Sequence, residues 1–134
     1  GVITTPADMR FQDRLCEISR AINDLLAEYK PDEVVFEELF FNRNVTTAFT
    51  VGAARGVAIA ACARYTDALF EYTPMQIKLA VVGYGHAEKQ QVQQMIKMIL
   101  RLPGVPSPDD AADAVAAAVT HVNAGRARFQ FRMK

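Results

Sequence analysis

The sequence is poor in several features that announce a function. It has two cysteines, Cys16 and Cys62, and two histidines in 134 residues. With no Cys-x-x-Cys and no Cys/His ligand spacing, a zinc site is not expected, and both cysteines read as small core residues inside apolar helical patterns in a reducing compartment. There is no net charge: fifteen basic residues balance fifteen acidic ones. A nucleic-acid partner must therefore be met by a local patch. There is no Gly-x-Ser-x-Gly, no phosphate-loop or dinucleotide fingerprint beyond an isolated Gly83-x-Gly85, no internal repeat and no low-complexity segment. No basic-then-apolar leader opens the chain, and the most apolar run, Val57 to Ala63, lies between Arg55 and Arg64 and is too short to span a bilayer. These absences point to one cytoplasmic globular domain.

What is present is an alternation of helical and strand patterns. Gly1-Val2-Ile3-Thr4-Thr5 reads as the end of a strand. Thr5-Pro6-Ala7-Asp8 has the N-cap, proline and acidic spacing of a helix start, and Phe11, Leu15, Ile18, Ile22, Leu25 and Tyr29 then recur at steps of four and three. Lys30-Pro31-Asp32 ends that helix. Val34-Val35-Phe36 is a short apolar strand of the kind buried on both faces, running into Glu37-Glu38. A helix from about Val45 to Tyr65 carries Gly52, Gly56 and Ala60 at spacings of four, a stripe suited equally to a dimer seam or to close packing on a sheet. Leu69-Phe70-Glu71-Tyr72 is a second strand. Thr73-Pro74-Met75-Gln76 opens a helix containing Lys78, and Gly83-Tyr84-Gly85-His86 is a turn. Lys89 begins an amphipathic helix marked by Val92, Met95, Ile96, Ile99 and Leu100. The tail from Gly125 to Lys134 alternates basic and apolar residues, as a disordered arm or an edge strand would.

The acids carry the chemical signal. Ser107 suits an N-cap and Pro108 the first helical position, which makes Asp110 the N3 partner of a capping box and puts Asp113 on the same face one turn later. Ala114, Ala117 and His121 share that face, with Val115, Val119 and Val122 opposite. Helix-start charge accounts for Asp109 and Asp110 but not for Asp113. In open α/β sheets, sites gather at the carboxyl ends of strands, and alternation allows one of Glu37 and Glu38 to face a given site. Strand-end and late-helix carboxylates without thiols form a hard oxygen site suited to Mg²⁺, with Mn²⁺ as substitute, and to phosphodiester hydrolysis by two ions about 4 Å apart. In the loop Phe40-Phe41-Asn42-Arg43-Asn44, the aromatics are either core or a wedge for unpaired bases, with Arg43 on phosphate. Lys89 is out of place for a helix dipole and would suit an anion.

Phe36-Glu37-Glu38-Leu39-Phe40-Phe41-Asn42, Val51-Gly52-x-Ala54-Arg55-Gly56-Val57, Tyr72-Thr73-Pro74-Met75-Gln76-Ile77-Lys78 through Val81-Val82-Gly83, Ala87-Glu88-Lys89, and Asp110-Ala111-Ala112-Asp113-Ala114 with Thr120-His121 together resemble the RuvC family of Holliday-junction resolvases. The resemblance runs to about His121. It implies an α/β fold with a ribonuclease-H-like mixed sheet flanked by helices, over residues 1–124, followed by a basic tail, 125–134. It also implies a homodimer that resolves four-way DNA junctions by paired nicks with Mg²⁺, alongside the RuvA and RuvB branch-migration proteins. By the same resemblance Glu37, Asp110 and Asp113 are catalytic metal ligands, Phe40 contacts the junction, and Lys78 and Lys89 meet phosphate. Relatives open with a strand carrying an Asp-Pro-Gly turn and with a second strand, neither of which is in this sequence. The expectation is therefore a chain incomplete at its N-terminus, with a non-catalytic junction-binding dimer as the alternative.

Overall fold

A computed structural model describes residues 1–38 and 45–134. The elements are α1 (Phe11–Tyr29), β1 (Val34–Glu37), α2 (Val45–Tyr65), β2 (Leu69–Tyr72), α3 (Pro74–Val82), α4 (Lys89–Ile99), α5 (Asp109–Ala124) and a closing 3₁₀ segment (Gly125–Phe131). They form two compact units, one of Gly1–Val2, residues 35–38 and Phe70–Lys134, the other of Ile3–Val34 and residues 45–69.

β1 and β2 pair side by side in a two-stranded sheet. The Val34 amide donates to the Ala68 carbonyl and the Glu38 amide to the Tyr72 carbonyl, so the register advances together along both strands and the pair is parallel. β2 is the inner strand: Leu69, Phe70 and Tyr72 are buried, whereas every residue of β1 is half-buried. The apolar run of β1 thus does not mark burial on both faces. A strand paired on one side is covered less than its composition suggests.

In the larger unit α3, α4 and α5 pack on one another and the 3₁₀ segment packs on α5. Phe70, Tyr72 and Ile96 are the largest fully enclosed side chains. Burial of side chains of this size contributes about 1.5–3 kcal/mol each. α3 begins as its sequence requires: Thr73 accepts from the Gln76 amide, the Gln76 side chain accepts from the Thr73 amide, and Pro74 occupies the first turn. It ends at Gly83, whose φ of 88° is open to glycine at no steric cost. Ala111, Ala112, Ala116 and Ala117 are buried, giving α5 a smooth face against its neighbours.

The other unit is α1 on α2. Its core is thin, with Leu26, Ala61, Cys62 and Leu69 buried, while Phe11, Leu25 and Tyr29 of the α1 stripe are exposed. Cys16, expected in the core, is also exposed, because it lies off that stripe. Gly52, Gly56 and Ala60 face outward, and a Cβ on either glycine would meet nothing within 4 Å. α2 as a whole is long and apolar enough, by length and composition, to cross a membrane. Arg55 interrupts it, and a charge at the centre of a span costs about 2.5–3.5 kcal/mol.

Several helix starts differ from expectation. Thr5 does not cap α1: Met9 donates to the Pro6 carbonyl in a turn, the Thr5 hydroxyl accepts from Arg14 Nε at 2.8 Å, and α1 begins after the extended Arg10. Gly1 to Thr5 form no strand, since no described strand supplies a ladder of hydrogen bonds to them. Ser107 is not the cap of α5. Pro108 is extended at that place, the helix begins one residue later, and Asp110 moves from the third to the second helical position, so no capping box forms. The tail is 3₁₀ rather than an arm or a full edge strand, although Arg132 makes one antiparallel bridge to Phe70.

Candidate active site

Alternation along β1 separates the two glutamates. The Glu38 amide completes the pairing with Tyr72, and the Glu37 side chain faces a pocket of about 210 Å³. Lys78 from α3, Lys89 from α4 and Asp113 from α5 line the same pocket, with Ile77 and Val92 among its apolar walls. Asp110 is absent from the lining but lies near enough for its charge to act on Glu37. Phe40 and Arg43 lie outside the described residues.

The electrostatics identify the site's dominant sign. Burial pushes the Glu37 carboxyl above its usual range, and the Asp113 and Asp110 carboxylates push it further, against the opposing pull of Lys89 and Lys78. Lys89 opens α4, where Glu88 and Gln91 make the capping box. Its Nζ donates to Asp113 Oδ2 at 3.1 Å and stands 3.6 Å from Asp109 Oδ2. The hydrogen bond to Asp113 is the main cause of a raised Lys89 pKa. Gln93 Nε2 donates to Asp109 Oδ1 at 3.1 Å. Lys89/Gln93 and Asp109/Asp113 are thus two i, i+4 pairs facing each other across α4 and α5. Asp109, read in the sequence as helix-start charge alone, is part of this ladder. The matching four-residue spacings were the signal available for it.

His121, on the same helix as Asp113, is not among the residues that line the pocket. It is buried, its Nδ1 is 2.8 Å from the Tyr72 hydroxyl, and its ring lies 4.5 Å from that of Phe70. This is a satisfied core histidine joining α5 to β2. Nothing in the sequence marks Tyr72 for this role, because an aromatic ending an apolar strand carries no sign of a buried polar partner.

Among the described residues no group of three or more His, Cys, Asp and Glu side chains is placed to hold a metal ion. Glu37 and Asp113 nevertheless fit a hard cation in donor chemistry: two carboxylates face one pocket in a negative field that already disfavours a second ionised oxygen donor.

Glu37 at a strand end and Asp113 on a late helix share one pocket beside a parallel strand pair, and the α/β fold is ribonuclease-H-like by its likeness to solved nuclease structures. Two solved structures support this: "Thermus thermophilus RuvC structure", at a TM-score of 0.85, and "T. thermophilus RuvC in complex with Holliday junction substrate", at 0.88. Each is 35% identical and covers 95% of this chain, which spans 76% and 77% of theirs. The family model described as "Crossover junction endodeoxyribonuclease RuvC" matches residues 1–121. The chain belongs to the RuvC family. The protein of that name from Alkaliphilus oremlandii is 51% identical over 134 residues, all of this chain and 82% of that one. The one from Ruminiclostridium cellulolyticum is 54% identical over 126 residues, 94% of this chain and 76% of that one. RuvC nucleases are in general metal-dependent endonucleases.

Proposed function

We propose that this protein is a structure-specific endodeoxyribonuclease that resolves four-way DNA junctions by paired, symmetric nicks. The observation carrying this reading is the convergence of Glu37, Asp113, Lys78 and Lys89 on one pocket at the end of β1. Carboxylates and lysines in one cleft suit a phosphodiester, whose negative oxygens need cationic partners while the attacking water needs an acceptor.

Glu37 and Asp113, with Asp110 one turn before it, are the residues that hold divalent cations, Mg²⁺ with Mn²⁺ as substitute and two per site. When bound, such ions supply an activated water and charge for the departing oxygen. Lys78 and Lys89 hold the phosphate, and Ile77 and Val92 form part of the apolar wall of the pocket. Phe40 and Arg43 contact the junction DNA. The nuclease domain spans residues 1–124, and residues 125–134 form a basic tail. The protein works as a homodimer with the RuvA and RuvB branch-migration proteins in the cytoplasm.

Purified protein incubated with an end-labelled mobile four-way junction and Mg²⁺ or Mn²⁺ is expected to give symmetric nicks. Binding without nicks would make the protein a non-catalytic junction-binding dimer, a reading favoured by the absence of a three-carboxylate cluster among the described residues. No binding would remove both.

A further inference from the structure

Lys89 occupies an unusual place for a lysine. It is the first residue of α4, where the helix dipole disfavours a positive charge. Its ammonium reaches across to α5 and meets Asp113, a carboxylate of the active-site pocket, with Asp109 as a second partner. Gln93, one turn later on α4, holds Asp109 in turn. A cation approaching Asp113 Oδ2 therefore finds that oxygen already engaged by an ammonium.

We propose that Lys89 is the resident counter-ion of Asp113 in the metal-free protein, and that Asp109, oriented by Gln93, is the positioning residue that keeps Lys89 at the site once a divalent cation takes Asp113. The proposal rests on Glu37 and Asp113 being cation-holding residues. It gives the lysine two successive tasks. Before the cation arrives, it neutralises a carboxylate that stands beside Glu37 in a negative field. Afterwards its ammonium shifts to Asp109, remaining beside the pocket with donors free for a phosphate oxygen. The two facing i, i+4 pairs make this possible without movement of either helix, because both carboxylates are already within 4 Å of Nζ.

The test titrates Mn²⁺ alone into the full chain by calorimetry, comparing wild type with Lys89→Met, Lys78→Met and Asp113→Asn. Methionine keeps the apolar stem and removes the charge. Lys89→Met is expected to bind Mn²⁺ about tenfold more tightly, an effect of the size typical for groups beside a metal ligand. Lys78→Met, which removes a charge from the same pocket, is expected to gain roughly threefold or less because its influence is screened. Equal gains in the two variants would reduce Lys89 to a general charge effect and overturn the counter-ion role. Mn²⁺ affinity unchanged by Asp113→Asn would instead overturn the cation reading beneath it. The Asp109 role is read from the lysine ammonium NMR signal. With Mg²⁺ the Lys89 signal should persist in wild type and vanish in Asp109→Asn, whereas the same response in both proteins would refute it.

Discussion

α2 and α5 are both apolar, alanine-containing helices with small residues at helical spacing, yet they have opposite fates. α5 buries Ala111, Ala112, Ala116 and Ala117 against its neighbours and projects Asp113 from one edge. α2 leaves Gly52, Gly56 and Ala60 facing outward, with only Ala61 and Cys62 buried. A small side chain permits close approach; it does not cause it. What separates the helices is the company each keeps: α5 has α3, α4 and the 3₁₀ segment, whereas α2 has α1.

Experiments can sharpen this contrast in order of expected size. Asp113→Asn should lower the cleavage rate about a thousandfold, as loss of a charge-stabilising group typically does. Junction affinity should stay within about threefold, since the lysines remain. Gel-shift and single-turnover cleavage assays on the same samples check both. Next, Ala112→Leu should destabilise the protein by about 1–3 kcal/mol, because Ala112 is fully buried where α5 packs on its neighbours. Gly56→Ala should do the reverse, raising stability by about 0.5–1 kcal/mol through helix propensity, because its surroundings are empty. Urea unfolding of both variants measures the difference, and destabilisation by Gly56→Ala would mean that the α2 stripe is covered. Tyr72→Phe should cost about 1–3 kcal/mol by leaving the buried His121 without this partner.

The smallest effect is in pH. Glu37 is held above the ordinary carboxylate range, so the fold favours its neutral form. Its contribution is present in full below the unfolded pKa and fades as pH rises through the higher folded one. Without divalent ions, Glu37→Gln should therefore gain thermal stability relative to wild type as pH rises from the ordinary glutamate pKa through the higher folded one. A gap that narrows over this range would contradict the assignment.

Local chemistry made much of the fold legible. The bounds of α2 and β2 and the capping box of α3 follow from propensity and side-chain bonding within a few residues. The misread positions depended on distant partners: Thr5 was taken by Arg14, Ser107 lost its place to an extended Pro108, and Cys16 lay off the α1 stripe. At the site, strand alternation leaves open whether Glu37 or Glu38 faces the acids of α5, and it is the pocket shared by Glu37 and Asp113 that separates them. The pairing of Lys89 with Asp113 joins residues 24 apart, beyond the reach of any periodicity within one helix.

The bond between His121 and Tyr72 also works as a gauge. It pins one point of α5 to the strand beside the one that ends in Glu37, and Asp113 stands eight residues upstream, about 12 Å along a rigid rod. A slip of one residue would slide Asp113 by about 1.5 Å and swing it by roughly 100°. The spacing between two acids far apart in the chain is thus set at the opposite end of the helix, by a tyrosine and a histidine that never touch the reaction.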